Sequence, residues 1–168
     1  MSFPSVKTFL AAIGYHGPNT LLALILAMLA FQQQYTNPPV YLFVIGWQFV
    51  SHLLNVIIKN ILQLPRPDSK EEDFAALKPT LANYMTIHQN YGMPSGHAQA
   101  VCSELIFIAF YFQLPVLTVI AAVKTALTLW QRYAYHRHSA AQLAVGSLLG
   151  TGVGFAFYKF FKSRFPML

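Results

Sequence analysis

Charged residues are scarce in this chain of 168 residues, at 10% of the total, whereas hydrophobic residues make up 55%. Soluble domains carry about 25% charged residues. The deficit excludes a typical soluble domain. The apolar residues also fall in long blocks instead of an amphipathic rhythm, which indicates a membrane protein.

Cysteine is almost absent as well. Cys102 is the single cysteine, so no disulfide can form within the chain, and cysteine usage does not reveal a redox compartment. No repeat or low-complexity tract divides the sequence, and we expect one domain over residues 1–168. Residues 1–17 lack the basic start, apolar core and cleavage site of a signal peptide, which favours a retained interfacial helix.

The apolar blocks predict an all-α bundle of about five transmembrane helices, preceded by the N-terminal interfacial helix. A helix needs about 20 apolar residues to cross a membrane, and the first block is somewhat short. The predicted spans are Asn19 to Gln32, Val40 to Ile58, His97 to Phe112, Pro115 to Trp130, and Ala140 to Phe161.

Five crossings place the N-terminal segment and residues 59–96 and 131–139 on the same face of the membrane. Nearly all the unusual polar residues then share that face, which predicts a functional site there: Lys59, Arg66, Ser95, His97, Arg132 and His138. The basic tail, with Lys159, Lys162 and Arg164, favours a cytoplasmic C-terminus. The site would then face a lumen or the exterior, and we expect the endoplasmic reticulum membrane. Because the basic residues are scattered, the net charge of +6 does not indicate nucleic-acid binding.

The end of the second span carries two cations. Lys59 and Arg66 are seven residues apart and point the same way while the helix continues, which suits an anion. Interfacial snorkelling of long basic side chains explains this pair better when it is taken alone.

The stretch "MPSGHAQA" opens the third span. Pro94 and Ser95 start a helix, and Gly96 allows close approach of the backbone. Free amides and the helix dipole at such a start form an anion site. His97 lies in the first turn, where it can protonate a leaving oxygen once an anion is bound. The alternative is a histidine that only packs at the membrane interface.

The stretch "QRYAYHRHSAAQ" supplies a third set of residues. Arg132 offers a planar fork for phosphate oxygens, and His138 is a candidate nucleophile. Gln142 lies four residues further on the same helix face, and we expect its carbonyl to accept the imidazole N–H of His138. His136 and His138 would suit zinc, but paired cysteines and well-placed carboxylates are lacking nearby, so we expect no metal.

Together these stretches resemble the three signature blocks of the type 2 phosphatidic acid phosphatase superfamily. The matching blocks lie at 59–67, 94–97 and 132–142. The resemblance implies phosphoester hydrolysis through a phosphohistidine, with no metal or other cofactor. His138 would attack phosphorus and His97 would protonate the leaving group. The phosphoryl oxygens would be held by Lys59, Arg66, Ser95, Gly96 and Arg132.

Two positions depart from the superfamily pattern, because Gln131 and Gln142 stand where Ser and Asp are usual. Gln142, Gln99 and the letters "YGMPS" resemble the dolichyl diphosphatase branch, although that branch often has Ser at the position of Gly96. This resemblance implies a polyprenyl diphosphate substrate. A broad phosphatidate phosphatase and a non-catalytic lipid-binding protein remain alternatives.

Three further patterns lead to structural predictions. Glycines every four residues, at Gly146, Gly150 and Gly154, predict a helix-packing seam or a homodimer contact. Glu104 and Lys124 lie at matching depths, which predicts an ion pair or a shared polar network. A capping pattern predicts a short interfacial helix from Lys70 to Lys78.

Overall fold

The computed structural model describes residues 6–31, 38–67 and 91–165, and its regular elements in those ranges are all helices, with no strand. The helices are α1 (Val6–Tyr15), α2 (Gly17–Phe31), α3 (Pro38–Leu62), α4 (Gly96–Phe107), α5 (Pro115–Ala134) and α6 (Ala140–Arg164). A π-helical turn, Ile108–Phe112, continues α4. The predicted all-α fold is confirmed, and the five predicted spans correspond to α2 to α6.

Two described helices, α3 and α6, are long and apolar enough to cross a membrane, and α1 and α2 meet the same criterion together as a pair bent by 59°. The opening segment therefore does form a helix of its own. It packs along α5, where Lys124 donates to the carbonyl of Ile13 (3.0 Å) and Thr128 to that of Gly14 (2.9 Å).

Helix α4 is the centre of the bundle and packs against α2, α3, α5 and α6. Its far end carries an aromatic core, in which Phe107 lies between α3 and α6. The rings of Trp47 and Phe157 stack there at 3.9 Å between centroids, and Phe161 packs edge-on against Phe107. This core packs around the C-terminal end of α4. The polar residues, with His97, lie at its N-terminal end.

The glycines of α6 face the backbone of α4. A Cβ atom on Gly146 would lie 2.6 Å from the carbonyl oxygen of Ser95, and one on Gly154 would lie 2.5 Å from that of Ser103. A Cβ on Gly150 would meet the carbonyl of Gln99. The predicted packing seam is confirmed. Because α4 covers it, the seam is not open to a second copy of the chain.

The predicted pairing of Glu104 with Lys124 is wrong. Glu104 accepts a hydrogen bond from Gln48 of α3 at 2.8 Å, whereas Lys124 donates to the backbone of α1. The two side chains lie on helix faces that contact different neighbouring helices. Equal depth in the membrane does not determine the direction in which a side chain points around its helix axis. The predicted helix from Lys70 to Lys78 lies outside the described residues.

Gly150→Ala should destabilise the protein by about 1–3 kcal/mol, because the added methyl group enters a filled backbone contact. Gly152→Ala is the matched control, since nothing lies within 4 Å of a Cβ there and alanine favours the helix. Thermal unfolding of both variants in detergent measures the difference. Equal melting temperatures would contradict the packing described for α6.

Candidate active site

A cavity of about 500 Å³ lies at the end of the bundle where α1, α3 and α5 end and α2 and α4 begin. The convergence predicted from the alternation of crossings is therefore present. Six of the eight predicted site residues line the cavity, and the exceptions are Ser95 and Gln142. The six are Lys59, Arg66, Gly96, His97, Arg132 and His138.

The first block turns back over the end of α3. Lys59 is buried in the last turns of that helix, and the chain then leaves it through Gln63, which has a left-handed φ of 49°. Pro65 forms an antiparallel bridge with Tyr91, and the amide of Gly92 donates to the carbonyl of Leu64 at 2.8 Å. These contacts hold Arg66 beside the cavity and join the first block to the second.

The second block is the start of α4. The Ser95 hydroxyl accepts the amide of Ala98 at 3.4 Å, so it caps the helix, and the residue is fully buried. The Ser95 side chain does not line the cavity, and its predicted contact with phosphate stays a prediction. Gly96 does line the cavity, and a Cβ there would lie 3.3 Å from Asn55 Oδ1.

The third block positions His138 through a tight turn after α5. His136 adopts a left-handed φ of 53°, and the amides of Arg137 and His138 both donate to the carbonyl of Arg132, at 3.0 and 3.3 Å. Ser139 then caps α6. The imidazole of His138 is only 2% exposed and reaches the cavity, whereas His136 is exposed and does not line it.

The carbonyl of Gly92 orients the ring of His138, since it lies 3.0 Å from Nδ1. A carbonyl oxygen only accepts, so Nδ1 carries the hydrogen and Nε2 carries the lone pair in the neutral ring. Sequence reasoning missed this contact because a backbone acceptor has no side-chain signature. Its only trace in the sequence is the glycine within "YGMPS".

The predicted contact between Gln142 and His138 is wrong. Gln142 Oε1 accepts the Ser139 amide at 3.2 Å, and Nε2 donates to the Pro65 carbonyl at 2.8 Å. The side chain thus closes a capping box on α6 and ties that helix to the first block. Gly92 lies directly against it, since a Cβ there would come within 2.5 Å of Gln142 Nε2.

Tyr15, at the end of α1, is a further cavity residue that the three blocks do not contain. Its ring centroid lies 5.9 Å from Cζ of Arg132 and 5.9 Å from the ring of His97. The first distance is within the range of a cation–π contact. The bend between α1 and α2 therefore lies beside Arg132 and His97.

Burial, followed by the positive charges of Arg66, Arg132 and Lys59, lowers the pKa of His138 from its usual 6.5 to about 3. The hydrogen bond to Gly92 raises this pKa but does not offset the other effects. The imidazole is therefore neutral at physiological pH, with its Nε2 lone pair among cations. A neutral nucleophile in positive surroundings is suited to attack on an anionic group such as a phosphoryl group.

No group of three or more His, Cys, Asp or Glu side chains able to hold a metal ion occurs in residues 6–31, 38–67 and 91–165. Three cations, Lys59, Arg66 and Arg132, line the cavity together with His97 and His138. Such a set binds anions and does not suit a divalent cation.

Comparisons with known proteins agree with this arrangement. A family model described as the PAP2 superfamily matches residues 40–166. The fold is similar to the crystal structure of the first transmembrane PAP2-type phosphatidylglycerolphosphate phosphatase from Bacillus subtilis. That match has 21% sequence identity and a TM-score of 0.69, and covers 100% of this chain and 82% of the other. No curated protein sequence matches the chain.

Arg66→Gln should raise the pKa of His138 above its wild-type value, because it removes a nearby positive charge. A protonated imidazole has no lone pair for attack, so catalytic activity falls as the pH drops through this pKa. As the pH is lowered, kcat/KM should therefore begin to fall at a higher pH in Arg66→Gln than in the wild type. The measurement is the pH profile of the activity that remains in the variant. Arg137→Gln, which changes an exposed arginine next to His138, is the control. Identical acid limbs in all three proteins would contradict the assigned electrostatics.

Proposed function

This chain belongs to the PAP2 superfamily, and on that basis we propose that it is a membrane enzyme that removes the terminal phosphate from a lipid. One observation supports the proposal most strongly. His138, held by Gly92 with its Nε2 lone pair unprotonated, lines the same cavity as Lys59, Arg66 and Arg132. A nucleophile and three cations in one cavity are what metal-free phosphoryl transfer requires.

In the proposed mechanism, the phosphoryl oxygens bind to Lys59, Arg66 and Arg132. The amides in the first turn of α4, which have no partner within the helix, add further donors at Gly96 and His97. His138 Nε2 attacks phosphorus, the bond from phosphorus to the lipid oxygen breaks, and His97 transfers a proton to that oxygen. The lipid alcohol or lipid phosphate then leaves.

In the second step, water attacks the phosphohistidine with His97 as the base. The bond between phosphorus and Nε2 breaks, inorganic phosphate leaves, and His138 becomes neutral again. The Gly92 carbonyl holds the Nδ1–H while the ring is positively charged. A carbonyl carries less negative charge than a carboxylate, so most of the electrostatic stabilisation falls to the three cations on the phosphoryl group.

Two lipid classes are candidates for the substrate. The letters "YGMPSGHAQ" favour a polyprenyl, dolichyl-type diphosphate, which would be cleaved to the monophosphate and inorganic phosphate. A glycerol-based lipid phosphate is the second candidate, since the similar Bacillus subtilis protein is named for a glycerolipid phosphate. The basic C-terminal tail supports an active site facing the lumen, and the endoplasmic reticulum is the compartment we propose.

Purified protein should release phosphate from lipid phosphates in the presence of EDTA. His138→Ala should lower kcat by roughly 10³-fold or more, because no other group takes the role of the nucleophile. His136→Ala, two residues away and exposed, is the matched control and should stay within about twofold of the wild type. A panel of polyprenyl diphosphate and phosphatidate measures both rate and substrate class.

Three results would contradict the proposal. They are full activity in His138→Ala, loss of activity with EDTA, and no phosphate release from any lipid of the panel. The last result, together with retained binding of the lipids, would indicate a non-catalytic lipid-binding protein.

A further inference from the structure

The catalytic cavity continues below the phosphate site along a polar stripe of α3. Gln48, Ser51, Asn55 and Lys59 are spaced by three or four residues, so they share one helix face. From Lys59 to Gln48 the stripe covers about 16 Å of helix. All four line the cavity, together with Gln99 and Glu104 of α4. Polar residues inside a spanning helix usually face a cavity or partner and mark a functional region.

Most polar atoms of this stripe are paired. Gln99 Nε2 donates to the carbonyl and the hydroxyl of Ser51, at 2.7 and 2.9 Å. Asn55 Nδ2 donates to Gln99 Oε1 at 2.7 Å and to the Pro94 carbonyl at 3.4 Å. Gln48 Nε2 donates to Glu104 Oε1 at 2.8 Å. These bonds fix the orientations of the Gln99 and Asn55 side-chain amides, and they identify Oδ1 as the acceptor atom of Asn55.

Two oxygens that belong to this polar region have no hydrogen-bond partner among the described residues, Asn55 Oδ1 of α3 and Glu104 Oε2 of α4. Both side chains are 1% exposed and both line the cavity. Buried polar atoms are rarely left without a partner in folded proteins. Asn55 Oδ1 lies beside Gly96 at the start of α4, and Glu104 lies two turns deeper on α4 than His97.

We infer that Asn55 and Glu104 form a subsite for free hydroxyl groups on the alcohol that leaves when the lipid phosphate is cleaved. The proposal rests on the proposed phosphatase function. A hydroxyl can donate to Asn55 Oδ1, and it can either donate to or accept from Glu104 Oε2. A second phosphate presents mainly acceptor oxygens, which cannot donate to Asn55 Oδ1, and a prenyl chain presents no polar group. The subsite therefore favours a lipid phosphate whose leaving alcohol carries a free hydroxyl over a polyprenyl diphosphate.

Two lipids that differ by one hydroxyl test this subsite. They are 1-acylglycerol 3-phosphate and 1-acylpropanediol 3-phosphate, which lacks the 2-hydroxyl. The wild type should show a kcat/KM about tenfold higher for the hydroxyl lipid, the value expected for one buried hydrogen bond. Equal values for the two lipids, or faster turnover of a polyprenyl diphosphate than of the hydroxyl lipid, would overturn the inference.

Variants test whether the preference for the hydroxyl lipid depends on Asn55 Oδ1 and Glu104 Oε2. The double variant Asn55→Leu, Glu104→Gln should hydrolyse both lipids with kcat/KM values within about twofold of each other. Ser103→Ala is the matched control, because Ser103 Oγ is also buried without a partner among the described residues but does not line the cavity. It should keep the tenfold preference.

If the double variant does not accumulate, the single variants decide. At least one of them must lower the preference threefold or more, and an unchanged preference in both overturns the inference. Failure of the proposed function is recognised separately, because the wild type would then release phosphate from neither of these lipids nor from the polyprenyl diphosphate.

Discussion

The close packing of α6 on α4 determines where the two histidines of the site lie in the cavity. Gly146 lies against the backbone of Ser95, and the Ser95 amide donates to the carbonyl of Gln142 at 3.1 Å. The starts of both helices are therefore at the same level. His97 follows Ser95 by two residues and His138 immediately precedes the cap of α6, so backbone contacts between two helices position both side chains. Larger residues in the seam would separate the helices and the histidines with them.

The surroundings of His138 connect this geometry to reactivity. Burial and the three cations keep the ring neutral, and Gly92 selects the tautomer that presents the Nε2 lone pair to the cavity. A phosphoryl group brings negative charge to the same cations, which favours the protonated form of a nearby histidine and suits His97 to act as the acid. In the proposed mechanism, the two histidines thereby take opposite roles.

The parts of this arrangement that depend on spacing could be predicted from the sequence. Apolar blocks predicted the helices, the alternation of crossings predicted which residues meet, and glycines every four residues predicted the seam of α6. The errors concern rotation and hydrogen bonding. Glu104 faces α3 and not Lys124, because residue counting gives depth along a helix but not the direction of a side chain. Gln142 binds the backbone of Ser139 and Pro65, and so it does not orient the ring of His138.

The central claim is that Nε2 of His138 is the atom that attacks phosphorus, with Lys59, Arg66 and Arg132 around the phosphoryl oxygens. An experimental structure with vanadate, which mimics the five-coordinate phosphorus of the transition state, tests it most directly. The account predicts vanadium within covalent-bond distance of His138 Nε2, with its equatorial oxygens bound by the three cations and the Nδ1 bond to Gly92 intact. Vanadate bound through another residue, or to Nδ1 of His138, would contradict it.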